Sequence, residues 1–231
     1  MTWFGLMAAG GSGSRLAQGS AKQYLPLAGR SMLWHALDAL LAAGPETVFV
    51  VLAPTDEQFA RHDWSAFDGR IEPLYCGGVT RRDSVYNGLV AASAVFDTED
   101  FVLVHDAARP CLPRADLERL IGECSDDRVG GILAVPLAET AKRVAKDEAG
   151  AQRIAATEDR SQLWLAQTPQ MFRAGLLLQA LHDAKRGVTD EAQAIEQLGL
   201  RPRLVLGSRE NLKVTYPEDL AIAEAILKAR T

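Results

Sequence analysis

Residues Ala8–Tyr24 read AAGGSGSRLAQGSAKQY: glycines and serines crowd a loop that leaves an apolar run, and two cations, Arg15 and Lys22, follow. The run itself, Trp3–Ala8, is apolar on consecutive positions, as expected of a strand covered on both faces. A glycine-rich loop after such a strand lets backbone N–H groups approach an anion. In an open α/β sheet the carboxyl edge of the strands is where ligands bind. Two familiar phosphate motifs do not fit. The pattern G-x-x-x-x-G-K-[ST] finds no lysine after Gly13, where Ser14 and Arg15 stand. The dinucleotide pattern G-x-G-x-x-G, begun at Gly11, ends on Leu16 and lacks its acidic strand residue about 20 positions on. Arg15 and Lys22 beyond a donor-rich loop suit a triphosphate; a glycine turn with two solvated cations is the alternative.

The rest of the chain repeats the alternation that this loop opens. Strand-like runs recur at Val48–Ala53, Ile71–Cys76, Phe101–His105, Gly131–Pro136 and Leu204–Leu206. Between them Ser31 caps a helix with Leu33, Leu37 and Leu40 inward, ending near Gly44-Pro45. Asp116 opens a second, with Leu117, Leu120 and Ile121 on one side, and Asp190 a third that stops at Gly199. Thr215-Tyr216-Pro217-Glu218 reads as a capping box with an early proline, launching a last helix to Arg230. The pattern predicts one α/β domain over residues 1–231, a Rossmann-like three-layer α/β/α arrangement around an open, mostly parallel sheet. One stretch departs from it. Leu137–Leu163 is polar, with Val144 and Ile154 flanking a turn signal at Asp147–Gly150; it is a disordered loop or a protruding hairpin that needs a partner to cover it.

Composition narrows the function. The 231 residues are 48% hydrophobic and 24% charged, with a formal net charge of −5. That balance argues against general binding to nucleic acid or a membrane surface. Three cysteines without C-x-x-C spacing read as small hydrophobes in a reducing compartment. The N-terminus lacks a signal-peptide pattern, and no apolar stretch approaches the ~20 residues that span a bilayer, so a cytoplasmic protein is expected.

Further constellations could carry chemistry. Phe101–Val104 runs into His105-Asp106-Ala107-Ala108-Arg109-Pro110, which puts a carboxylate at a strand's carboxyl end. Asp106 there suits Mg²⁺ beside a phosphate loop, or a turn-initiating cap; His105 points the other way along the strand and is read as structural. Gly77-Gly78 precedes Arg81–Ser84 at a helix start, where Ser84 could meet a base edge. Lys213 stands in a short extended piece before the last helix.

Taken in order, Ala9–Arg15, Ala21-Lys22-Gln23-Tyr24, the H-D-A-A-R-P block, Thr168-Pro169-Gln170, Thr189–Ala192 and Asn211–Thr215 resemble the 2-C-methyl-D-erythritol 4-phosphate cytidylyltransferases of non-mevalonate isoprenoid synthesis, over nearly the whole chain. The resemblance implies CMP transfer from CTP to that polyol phosphate. It implies that Ala9, Gly10 and Gly11 line the nucleotide site, and that Arg15 and Lys22 hold the triphosphate. Gly78 and Ser84 would face the base, and Asp106 would ligate Mg²⁺ or another divalent cation. Arg109, Thr140, Arg160 and Lys213 would surround the acceptor phosphate, with Lys213 also near the α-phosphorus. It further implies a homodimer in which residues 137–163 reach into the other subunit. Ala8 and Ala21 stand where the family often has proline, which removes no functional group. The residues by themselves separate acceptors poorly, so another polyol phosphate such as ribitol 5-phosphate stays open, as does a non-catalytic nucleotide-binding module.

Overall fold

Consecutive apolar residues in a strand point alternately to opposite faces, and this chain uses both. A computed structural model describes residues 2–11, 21–185 and 187–230. Its elements run β1 (Trp3–Ala8), β2 (Pro26–Leu27), β3 (Arg30–Ser31), α1 (Met32–Leu41), β4 (Val48–Val51), β5 (Ile71–Leu74), α2 (Arg81–Ala91), β6 (Phe101–Asp106), α3 (Arg114–Cys124), β7 (Gly131–Pro136), β8 (Lys142–Lys146), β9 (Gln152–Thr157), β10 (Trp164–Arg173), α4 (Ala174–Asp183), α5 (Glu191–Gln197), β11 (Arg203–Leu206) and α6 (Pro217–Lys228). Among the described residues, seven strands form one sheet in the order β11-β7-β10-β6-β1-β4-β5.

Met7, Val48, Val50, Phe101 and Leu103 face one side, against α1 and α3. Phe4, Leu6, Phe49, Val51, Val102 and Val104 face the other, against α2, α4 and α5. The sheet is therefore buried on both faces, as the continuous apolar runs required. A third, smaller cluster packs α6 through Ala223 against Met32, Cys111 and Val214. Within the seven-stranded sheet, neighbouring strands are parallel except β10, which runs antiparallel to both β6 and β7.

β10 is the element that periodicity did not reveal. Trp164–Arg173 carries Gln167, Thr168, Pro169 and Gln170 at its centre, and a proline there speaks against a central strand. The structure accommodates it with an irregularity: pairing with β7 shifts register between Ala166 and Gln170, so the proline lies outside the regular ladder.

The caps follow the sequence with two adjustments. Ser31 accepts from the Trp34 amide at 3.2 Å, and Asp190 from the Gln193 amide at 3.0 Å. Helix α3 begins at Arg114, so Asp116 sits inside its first turn and pairs with Arg119 at 3.0 Å. At α6 the capping carboxylate is Asp219, which accepts from the amides of Thr215 and Tyr216 at 2.7 and 2.8 Å. The cap therefore closes on Asp219 and not on the Thr215–Glu218 box, because the helix starts at Pro217.

Residues 142–157 form the hairpin β8–β9, with Val144 paired to Ile154 and every strand residue exposed. The Asp147 carboxylate accepts from the amides of Ala149 and Ala151, which fixes the turn. Of the two alternatives for the polar stretch, the structure shows the protruding hairpin.

Gly88 lies in α2 where that helix crosses β4. A methyl group there would overlap the Val51 side chain and come within 3.2 Å of Leu6 Cδ1. We expect Gly88→Ala to destabilise the fold by about 1–3 kcal/mol, overpacking outweighing the gain in helix propensity. An unchanged urea-denaturation midpoint would refute the close approach.

Candidate active site

Parallel pairing sets Ala8 of β1 opposite Asp106 of β6, so the loops that follow them leave the same edge of the sheet. Three further segments are tied to that edge. The Arg109 Nη1 donates to the Asn211 carbonyl at 2.6 Å, and the Val214 amide to the Ala108 carbonyl at 2.9 Å. Asn211 Nδ2 in turn donates to the Thr168 carbonyl at 2.8 Å. These bonds bring Lys213 to the end of β6. The turn before α2 is held by Ser84, whose Oγ accepts from the Gly78 amide and donates to the Thr80 carbonyl, both at 3.0 Å.

Asp106 is the centre of this arrangement. Its Oδ1 accepts from Arg81 Nε at 2.7 Å, and its Oδ2 meets Lys213 Nζ at 2.6 Å. Arg81 also holds the fully buried Glu191, with Nη1–Oε1 at 2.6 Å and Nη2–Oε2 at 3.0 Å. Burial pushes the Asp106 carboxyl up, but the cations of Arg81, Lys213 and Arg109 outweigh it and hold the group well below the usual range. Asp106 is therefore a carboxylate at any physiological pH. Burial raises the Glu191 carboxyl, and the Arg81 guanidinium opposes that rise.

His105 is structural, as its position in the strand suggested. It is buried, its Nε2 bonds the Arg109 carbonyl at 3.1 Å, and its Nδ1 bonds Thr168 Oγ1 at 2.9 Å. Because a carbonyl only accepts, Nε2 carries the proton and Nδ1 accepts from the threonine hydroxyl. Thr168 Oγ1 then accepts from the Asp106 amide at 3.1 Å, which closes the chain of bonds around the β6 terminus.

Two cavities meet here. One, of about 470 Å³, is lined by Gly10, Gly11, Gly78 and Ser84; a second, of about 240 Å³, by Arg109, Thr168 and Gln170. Arg81, Asp106 and Lys213 line both. Gly11 has open space where a side chain would stand, whereas a methyl on Gly78 would lie 3.0 Å from the Asp83 carbonyl carbon. Arg109 reaches the smaller cavity but is largely occupied with main-chain carbonyls.

Among the described residues, Ala9, Lys22, Thr140 and Arg160 line neither cavity. Ala9 is buried, with its amide on the Val51 carbonyl and its carbonyl on Gln23 Nε2, and Ala8 lines the larger cavity in its place. Lys22 sits in a 3-10 turn (Lys22–Tyr24), anchored through that Gln23 bond. Thr140 and Arg160 are exposed on either side of the hairpin and line neither cavity. Arg15 is outside the described residues. Sequence reasoning assigned no role to Arg81 or Glu191. The available signals were a capping box at Thr80-Arg81-Arg82-Asp83, which places Arg81 in the first turn of α2, and the acidic residue after the Asp190 cap.

No group of three or more His, Cys, Asp or Glu residues able to hold a metal occurs among the described residues. Cys111 and Cys124 are buried, and burial pushes their thiols up to about 11 and about 12.

A doubly wound α/β sheet with Gly10, Gly11, a carboxylate and a lysine converging at the strand ends suits a nucleotidyltransferase. Residues 4–229 match the family model for 2-C-methyl-D-erythritol 4-phosphate cytidylyltransferase (IspD), and the chain belongs to that family. Proteins of that name from Nitrosomonas eutropha and Dechloromonas aromatica are 53% and 54% identical over 228 residues, covering 97% and 98% of this chain and 96% and 98% of theirs. A crystal structure of a 4-diphosphocytidyl-2C-methyl-D-erythritol synthase superposes with a TM-score of 0.84 at 39% identity, covering 98% of both chains.

Burial lowers His105 from its ordinary 6.5 to about 4. Its folded form binds a proton less readily than its unfolded form, so its contribution is fully present above pH 6.5 and is lost as pH falls towards 4. The loss amounts to about 3 kcal/mol. Urea midpoints measured across this range should fall with pH, and the fall should be shallower in His105→Gln. Parallel profiles for the two proteins would contradict the assignment.

Proposed function

We propose that this pocket transfers CMP from CTP to 2-C-methyl-D-erythritol 4-phosphate, releasing pyrophosphate and forming 4-diphosphocytidyl-2-C-methyl-D-erythritol. The observation that carries the proposal is Lys213 anchored on Asp106 in the wall shared by the two cavities. A cation fixed between a nucleotide and an anionic acceptor addresses the main barrier to this reaction, the approach of one anion to another.

The acceptor phosphate is a monoester with a second pKa of about 6, so it is already a nucleophile near neutral pH. Its oxygen attacks the α-phosphorus in line, the bond to the bridging oxygen breaks, and pyrophosphate leaves with the electron pair. No general base is needed. The neutral, buried His105 is accordingly left to hold the backbone. Gly10 and Gly11 line the approach for the triphosphate, open at Gly11, with Arg15 and Lys22 as its cations. Gly78 and Ser84 border the base, and Arg109 and Lys213 receive the acceptor phosphate. These groups act through preorganised charge and geometry.

A divalent cation such as Mg²⁺ is consistent with the donor set in a limited way. Asp106 is the one acid lining the larger cavity among the described residues, and Arg81 and Lys213 hold both of its oxygens. A single carboxylate suits an ion carried mainly by nucleotide phosphates and water, each of its oxygens keeping a second lone pair beside its ion pair. The ion would supply further neutralisation of phosphate charge.

The hairpin supports a homodimer. Val144 and Ile154 are 55% and 67% exposed, and an isolated two-stranded hairpin gains little from such residues in water. In a dimer, Thr140 and Arg160 at its root would complete the acceptor site of the other subunit. No helix of the described residues is long and apolar enough to cross a membrane, which accords with a cytoplasmic enzyme.

Pyrophosphate release should require CTP over UTP and ATP, methylerythritol phosphate over ribitol phosphate, and a divalent cation. Release only with ribitol phosphate would reassign the acceptor, and release with no pair would leave a binding module. Arg15→Ala, Lys22→Ala and Lys213→Ala should each lower turnover by at least about 100-fold. Near-normal turnover in any of them would remove that residue from the reaction.

Arg160→Ala should be as impaired. Mixing Arg160→Ala with Lys22→Ala chains should restore part of the activity, since each mixed dimer contains one intact site. Absence of recovery in verified mixed dimers would exclude the shared site.

A further inference from the structure

Arg81 opens α2 and Glu191 opens α5, two helices on the same face of the sheet. The Glu191 carboxylate is fully buried and is gripped end-on by both terminal nitrogens of the guanidinium. That grip leaves Arg81 with Nε on Asp106 Oδ1, and leaves Asp106 Oδ2 to Lys213. An ion pair that takes one partner fully out of water seldom adds stability over a well-packed apolar pair, so stability alone does not account for the arrangement. Its geometric consequence is specific. Arg81, Asp106 and Lys213 line both cavities, while Glu191 lines neither and touches this wall through Arg81.

We propose that Arg81 and Glu191 are a positioning pair that sets where Asp106, and through it Lys213, stands between nucleotide and acceptor. The proposal rests on the reading of the pocket as a CMP-transfer site and extends it to two residues outside the expected set. A guanidinium is a planar fork of five donors, and the edge it presents depends on what holds its other edge. With Glu191 in place, Asp106 receives a single bond from Nε and keeps one oxygen for the lysine. With Glu191 uncharged, a terminal nitrogen is free to join Nε on Asp106, and the resulting bidentate pair competes directly with Lys213. A lysine at position 81 offers a point charge without the planar fork that fixes which edge faces each carboxylate.

The test uses the full-length enzyme and a readout independent of turnover: the rate at which Lys213 is acetylated, followed by mass spectrometry. Glu191→Gln should label Lys213 several-fold faster than wild type. It should also lower kcat by about 10- to 100-fold while CTP affinity, measured by calorimetry, is retained. Glu191→Asp, which keeps the charge, should recover part of both effects. The double variant Arg81→Met, Glu191→Met replaces the ion pair with apolar groups, leaves no unpaired charge at Glu191's buried position, and should melt near the wild-type temperature. In it Lys213 becomes the sole cation bonded to Asp106 and should label more slowly than wild type, with kcat still reduced. If Glu191→Gln does not fold, this double variant and Arg81→Lys carry the test. Unchanged labelling, full turnover in the double variant, or a loss of CTP affinity equal to the loss of turnover would each overturn the proposal. Failure of the wild type to use CTP and methylerythritol phosphate would overturn the reaction assigned above, and the labelling contrast would still decide the positioning pair.

Discussion

A carboxylate buried at the end of a central strand must be compensated, and the structure around Asp106 follows from that requirement. An uncompensated charge there would carry a desolvation cost of several kcal/mol. Two cations meet it, one on each oxygen, and both come from distant parts of the chain. Bringing Lys213 to Asp106 requires the Asn211–Val214 segment to lie along the β6 terminus, which Arg109, Asn211 and the Ala108 carbonyl secure. Bringing Arg81 there requires α2 to start beside the strand end, and the capping bonds of Thr80 and Asp83 fix that start.

The same requirement explains why the β6 terminus contains a buried histidine bonded through both ring nitrogens. His105 and Thr168 link the Asp106 amide to the Arg109 carbonyl through hydrogen bonds inside the sheet. Thr168 can reach this position because β10 breaks register with β7 at its centre. An irregular strand, which costs ladder pairing, thus supplies the hydroxyl that orients the loop carrying Arg109. Function here is a matter of fixed charges, and the fold contributes the fixing.

Much of this was legible residue by residue, and the unread parts share a cause. The paired apolar faces of β1, β4 and β6 were visible as uninterrupted runs, because burial on both sides leaves no polar alternation. The caps at Ser31 and Asp190 were visible because capping is local. β10 was hidden because its polar centre is satisfied by partners far along the chain, such as Asp190 and Ser208. The hairpin was ambiguous because its sequence holds few large apolar residues, and its form shows only in the cross-strand pairing and the Asp147 turn.

The sequence by itself determined the layer architecture, the glycine loop at the first strand's end, and the chemical inventory of cations and one carboxylate suited to phosphates. These depend on periodicity, composition and near-neighbour geometry. Only the tertiary structure decided which of those charges meet. It placed Arg81 and Glu191 behind Asp106, buried Ala9 in the core instead of the cavity wall, and left Thr140 and Arg160 exposed on either side of the hairpin. Long-range ion pairing has no signature in local pattern, since it depends on which strand ends and helix starts are neighbours in space.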